Sequence, residues 1–399
     1  MHSVDPTTGE FDESVRYVTK VPNDEDCVSG FMISVSAGTS RAAGFAFLIT
    51  LVQLVVPGCK SDTTSGPTVA PGTRTFRMGF SAIPPRADVN VAIAAIYMWS
   101  LRADAAIMSY ELPWGALLSG IPADTEIVKV ELPLANYFRS KGHTLWLYLD
   151  PGNGLNRAGE SDSLVARGRS ITEPAIQQLF RRYAVVADSV LHPEHLGLAL
   201  ETNLIRGSAP PPLYAAIRQV ANDAAADVRS RDQSVRLSVS VQVDYAWGHF
   251  DSSGYHGVDT DFAHFPFIQE LGLSSYPYLA RFTDPDSVPL DYYARLLTGH
   301  GVPAMVTEGG WTSASVGGIV SSDDVQRRYI IRQMQLLDSA GAIAVFQLTF
   351  TDLDLSANPP PAGSSLPLFA HLGLVDINLN PKPALAAWDG AFHRPRKGF

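Results

Sequence analysis

From Phe76 to the end of the chain, short β-rich runs alternate with longer helical ones, and this alternation limits the fold more than any other feature. The strand-like runs are Arg77–Ala82, Ala105–Tyr110, Thr144–Asp150, Leu196–Glu201, Arg236–Asp244, Leu271–Tyr276, Ala304–Glu308 and Ala342–Thr349. Between them lie helical stretches long enough for a βα crossover, for example Glu173–Leu191, Leu213–Arg229 and Asp323–Ser339. Eight strands, each followed by a helix, predict an α/β fold, a (β/α)8 TIM barrel, in preference to an open sheet. Ser322 is placed to cap the helix that Gly341 ends, and Pro383–Phe392 is expected to close the ring. Pro133 is expected to break or kink the second helical stretch, and His393 to Phe399 reads as a solvated end.

The barrel region, 76–399, is preceded by three segments of different character. Ala42 to Val56 is uncharged and apolar, too short to span a bilayer as a helix but suited to a signal-peptide core. Val55-Val56-Pro57-Gly58-Cys59 resembles a bacterial lipobox, which implies lipidation of Cys59 and a signal peptide over residues 32–58. Residues 1–31 carry seven acidic and two basic residues, the wrong sign for a leader, so they read as a non-native extension ahead of a start at Met32. Residues 59–75 are rich in Ser, Thr, Gly and Pro and read as a flexible tether. The expected location is the bacterial cell envelope, anchored by lipid at Cys59, with the outer membrane favoured because Lys60 follows the cysteine.

Strand parity suggests where the chemistry lies. In Leu196–Glu201 the leucines share one face, so packing them under the helices points Gly197, Ala199 and Glu201 into the barrel. Glu308 follows the face of Ala304 and Val306, and Tyr276 follows Gly272 and Ser274. Ser238, Ser240, Gln242 and Asp244 oppose four apolar residues of their strand. Polar side chains are thereby aimed at the C-terminal mouth, where such barrels carry their active sites. Two carboxylates from the fourth and seventh strands, Glu201 and Glu308, would face each other there. A pair of this kind can cleave a β-glycoside, one carboxyl protonating the leaving oxygen while the other attacks the anomeric carbon.

With these residues in place, the chain resembles the retaining (β/α)8 glycoside hydrolases of clan A, and within them the endo-β-1,4-galactanases of glycoside hydrolase family 53. The matching stretches are Leu198-Ala199-Leu200-Glu201-Thr202-Asn203, Leu271-Gly272-Leu273-Ser274-Ser275-Tyr276-Pro277 and Val306-Thr307-Glu308-Gly309-Gly310-Trp311. The resemblance implies a single catalytic domain whose nucleophile is Glu308 and whose acid/base is Glu201. Tyr276 would orient the nucleophile, and Trp311 would line the sugar site. The clan usually has an asparagine directly before the acid/base; Leu200 stands there, and the nearest asparagine is Asn203. The third-strand pattern appears as Trp146-Leu147-Tyr148-Leu149-Asp150-Pro151, and Phe346-Gln347-Leu348-Thr349-Phe350 occupies the place of the eighth-strand tryptophan.

Glu201 would need a raised pKa to act as the acid, which its apolar flank would favour, and Glu308 a low one to attack. Other candidates for substrate contact are Asn203, Asp150, Tyr148, Gln242, Glu111 and Trp247, the last equally readable as a loop anchor. The ten histidines show no metal-ligand spacing, and neither GxGxxG nor a P-loop occurs, so neither a metal nor a cofactor is expected. A net charge of −10 argues against nucleic acid as a partner. The expected partners are a β-linked glycan and, through lipid, a membrane, with the chain a monomer. Two rivals are a non-catalytic glycan-binding envelope lipoprotein on the same barrel and a structural lipoprotein with Trp311 and Tyr276 buried.

Overall fold

A computed structural model describes residues 72–251, 253–356 and 359–397. Cys59, the apolar segment before it, the N-terminal extension and most of the tether lie outside the described residues.

Among the described residues, eight parallel strands form one nearly closed barrel. They are β1 (Arg77–Phe80), β2 (Ala105–Glu111), β3 (Thr144–Asp150), β4 (His195–Gly197), β5 (Arg236–Gln242), β6 (Glu270–Ser275), β7 (Ala304–Gly309) and β8 (Ala344–Gln347). Each pairs with its neighbour in sequence, and β1 pairs with β8. The remaining seam, between β1 and β2, is bridged at Ser81 and Ile107. A Cβ at Gly79 would stand 2.3 Å from the Ala105 carbonyl oxygen, so this seam closes only over a glycine.

Helices cover the outside where an apolar stripe faces the sheet. Pro174–Leu191 and Pro211–Arg229 bury such stripes, including Phe180, Tyr183 and Leu191 on the first and Ile217, Val220 and Val228 on the second. Asp323–Ala340 is capped by the Ser322 hydroxyl at Val325 N–H and stopped by Gly341 at φ 58°. Pro133 does not break its helix, which runs unbroken over Ala123–Ser140. Burial of Ile127, Val130, Leu134 and Phe138 on one face outweighs the one hydrogen bond that proline removes. The expectation of a full helix after every strand fails after β5 and β6, where only short helical turns occur, such as Asp259–His264 and Pro277–Ala280.

The barrel interior is packed by Ile107, Trp146, Tyr148, Leu200, Met305 and Phe346, whereas Leu145, Leu147 and Leu149 face the helices. A Cβ on Gly197 would meet the Tyr148 ring at 2.1 Å, so the interior tyrosine depends on that glycine. Both ends of the described chain are tied down. Arg74, assigned by sequence to the tether, is buried and paired with Asp104 at 3.0 Å. Arg396 also reaches Asp104, and Arg394 reaches Asp338, so the basic tail is docked and not free in solvent.

Candidate active site

Glu201 and Glu308 meet at the C-terminal mouth, but neither arrives there by simple alternation. β4 ends at Gly197, and Leu200 turns into the barrel interior with Trp146 and Tyr148 instead of packing under the helices. Glu201 then takes a left-handed conformation, φ 47° and ψ 45°, with its N–H donated to Ser240 Oγ at 2.9 Å. That conformation costs a non-glycine residue about 1–2 kcal/mol, and such strain gathers at functional sites. On β7, Ala304 and Val306 face the helical layer, contrary to the parity reading, while Met305 faces inward. The β6–β7 register slips here, so that Leu273 pairs with Val306 and Ser274 with Glu308. This irregularity places Thr307 outside the register and turns Glu308 toward the axis.

Ser274, at the top of β6, joins the two acids. Its hydroxyl lies 2.5 Å from Glu201 Oε1 and 2.8 Å from Glu308 Oε1. Laid end to end, those contacts leave the two carboxylate oxygens about 5.3 Å apart at most. A hydroxyl has a single proton, so two hydrogen bonds at this oxygen require a proton on one of the carboxyls.

The other side of Glu201 is held by Arg157, a residue the sequence reading did not single out. Its Nε donates to Glu201 Oε2 at 2.7 Å and a terminal nitrogen to Asp150 Oδ2 at 2.6 Å, all three side chains being about nine-tenths buried or more. Asp150 in turn accepts from Gly152 N–H at 3.0 Å. Burial first, and then the charge of Glu201, push Glu308 up to about 7. The carboxyl raised toward neutrality is therefore Glu308, which was expected to be low, and Glu201 is the one paired with a guanidinium. Glu111, at the end of β2, accepts from Ser163 at 2.5 Å and also from Ser161. Burial raises its pKa, with a further contribution from Asp150.

A signed stability effect follows from Glu308. Below its unfolded value the group is neutral in both states, whereas between about 4.5 and 7 the unfolded chain ionises and the folded chain keeps its proton. Glu308 thus costs stability progressively across that window and by a constant amount above it. Glu308→Gln should leave stability unchanged at pH 4 and raise it at pH 8 by on the order of 2–3 kcal/mol, read from denaturant melts. A gain of the same size at both pH values would show that the charge is not the cause.

The remaining candidates sort by position. Tyr276 is buried beside the pair, and its phenol is pushed well up by burial and then by Glu308 and Glu201, but the hydroxyl hydrogen-bonded to Glu308 is that of Ser274. Tyr276 packs edge-on against Phe369. Trp311, expected to line the sugar site, is 1% exposed; it packs between Tyr278 and Tyr329 and donates to Ser321. The Gly309-Gly310 turn carries it back into the core. Tyr148 lies inside the barrel, bonded to Ser238 Oγ at 2.7 Å. Asn203 and Gln242 hold each other, with the Asn203 amide bonding both backbone groups of Gln242. Trp247 is an anchor, its indole N–H donated to the Tyr292 carbonyl at 2.9 Å, with Tyr292 stacked against it and Arg295 over its ring.

Serine at 274 was visible in sequence only as one small polar residue on an inward face. Arg157 had no signal, because it lies in the loop after β3, where neither periodicity nor spacing specifies direction.

No protein-family model and no curated protein matches the chain. Solved structures do match. An exo-β-1,4-mannosidase from Opitutaceae bacterium strain TAV5 aligns at 14% identity over 84% of this chain and 62% of its own, with a TM-score of 0.56. Xylanase 10B from Thermotoga maritima aligns at 12% identity over 80% of this chain and 95% of its own, with a TM-score of 0.54. The chain shares the (β/α)8 barrel fold of these enzymes. The catalytic domain of a family 53 glycoside hydrolase from Ignisphaera aggregans aligns at 13% identity, over 65% of this chain and 77% of its own, with a TM-score of 0.49. The likeness to the mannosidase and the xylanase is one of fold. The chain spans less than two thirds of the length of the mannosidase.

Proposed function

We propose that this barrel is a retaining glycoside hydrolase acting on a β-linked polysaccharide or oligosaccharide, with Glu201 and Glu308 as its catalytic pair and a galactanase-like preference. The supporting observation is the Ser274-bridged pair of glutamates at the barrel mouth, whose bridged oxygens lie no more than about 5.3 Å apart, which excludes the wider spacing used for inversion. In the assignment implied by the resemblance, Glu308 attacks the anomeric carbon and Glu201 protonates the leaving oxygen. The proton on Glu308 must then pass to Glu201, and Ser274 touches both. A sugar hydroxyl drawing Arg157 toward itself would loosen its hold on Glu201 and favour that transfer. The test is incubation of the purified protein with β-1,4-galactan, β-1,4-mannan and β-1,4-xylan, following the first-formed anomer by proton NMR. A β-anomeric product supports the reading, with galactan the preferred substrate; an α-anomer as first product, or no release from any of the three, overturns it.

A second reading, a non-catalytic envelope barrel, is favoured by the Arg157–Glu201 pair, by Leu200 and by the burial of Trp311 and Tyr276. It predicts no turnover of any of the three glycans.

The proposed setting is the cell envelope, through lipid on Cys59, supported by the apolar stretch and lipobox-like residues before it. Cys59→Ala should shift the protein from the membrane to the soluble fraction of a bacterial host fed labelled palmitate, and abolish labelling. Unchanged labelling would sink the assignment.

A further inference from the structure

The connections that follow β5 and β6 border a second feature on the C-terminal face, an open pocket of about 730 Å³ lined by Trp247, His249, Tyr255, Arg281, Phe282 and Arg295, among others. Its polar groups are predominantly cationic, and Arg295 and His249 are held in place. The Arg295 guanidinium lies over the ring of Tyr255 at 4.0 Å and that of Trp247 at 4.8 Å, which orients its plane at the cavity wall. Arg281 lines the same cavity, and neither arginine has a carboxylate partner among the described residues. His249 is 7% exposed at its side chain, its Nδ1 fixed by Asp244 at 2.8 Å, so its other nitrogen is presented in a set orientation. The one acid in the lining, Asp251, is taken up by His256 at 3.1 Å.

Two unpaired guanidiniums, an anchored imidazole and an aromatic wall match one class of sugar. A planar carboxylate takes paired N–H donors from arginine, and a pyranose ring packs its C–H faces on aromatic rings. We propose that this cavity binds a uronate residue of the glycan, as a subsite apart from the carboxylate pair. The proposal rests on the glycan reading above but not on hydrolysis. The packing connects the two places: Ser275, next to Ser274, bonds Tyr293 at 2.9 Å, and the neighbouring Tyr292 stacks on Trp247. A uronate held here would set the direction in which a chain crosses the mouth.

The test is calorimetric titration of the purified protein at low ionic strength with a β-1,4-mannuronate tetrasaccharide and with β-1,4-mannotetraose. The two differ only in whether C6 is a carboxylate or a hydroxymethyl group. The acidic sugar should bind about tenfold more tightly or better. Arg281→Gln, at an exposed side chain with no protein partner to lose, should remove most of that preference, and adding Arg295→Gln should remove the rest. Equal or tighter binding of the neutral sugar, absence of binding by both, or a preference that survives Arg281→Gln overturns the proposal. Hydrolysis is read separately, as product release in the anomer assay, so a failure of the hydrolase reading and a failure of this one give different results.

Discussion

Glu308→Ala and Glu201→Gln should each lower hydrolysis by about a thousandfold or more, while the melting curve stays cooperative. The expectation of an intact fold comes from the surroundings of each acid. Glu308 is raised to about 7 by burial and by its neighbour, so its charge opposes folding near neutral pH and its removal relieves that cost. Glutamine at 201 keeps hydrogen-bonding groups for Arg157 and Ser274, and Arg157 retains Asp150. Azide then separates the roles. Added to Glu308→Ala with an activated β-glycoside, it should take the place of the lost nucleophile and yield the α-glycosyl azide. Added to Glu201→Ala, it should intercept the covalent intermediate and yield the β-glycosyl azide. Swapped products would mean that the charge distribution of the empty site, with Arg157 on Glu201 and the proton on Glu308, persists through catalysis. Full activity in either variant would end the hydrolase assignment.

How these acids come to meet shows what a sequence carries and what it omits. The strand positions were readable because a strand buried under helices must be an apolar run, and β3 and β5 alternate cleanly between Leu or Val on the outside and Trp, Tyr or Ser inside. The helix ends were readable because Ser322 acts through its own hydroxyl and Gly341 and Pro383 through their own backbone geometry. Alternation gave the right destination for Glu201 and Glu308 by the wrong route. It assumes a regular strand, whereas β4 stops at Gly197 and the β6–β7 register slips before Glu308. Residue identity gives little warning of a left-handed glutamate or a register slip, because both are imposed by the packing of neighbours. Trp311 illustrates the converse. A loop-like run of Gly, Ser and Thr around a tryptophan reads as exposed, yet its ring is in the core because Tyr278 and Tyr329 come from distant elements to meet it.

Arg157 is the residue whose replacement should disturb the site most. Arg157→Met keeps the volume of the side chain but leaves the carboxylates of Asp150 and Glu201 buried together without their shared cation, with Glu308 close by. Removing one member of a buried ionic group costs about 3–5 kcal/mol, because the charges left behind are neither solvated nor paired. The sign with pH is fixed by the same reasoning. The Arg157 charge holds Glu308 below where burial and Glu201 would otherwise push it, so its removal lifts the folded-state value further and enlarges a cost that exists only where the unfolded chain is ionised. The loss of stability should therefore be largest near pH 8 and shrink toward pH 4, when wild type and variant are compared by denaturant melts. Asp150→Asn in the same background removes one stranded charge and should recover part of the loss at pH 8 only. Under the hydrolase proposal, withdrawing a positive charge makes Glu308 a weaker acid, so the alkaline limb of the kcat/KM profile should move up, by about one unit or more. A deficit of the same size at pH 4 and pH 8 would mean that Arg157 acts by packing its alkyl stem. An unmoved alkaline limb would mean that the acid seen in catalysis is not one that feels the charge of Arg157.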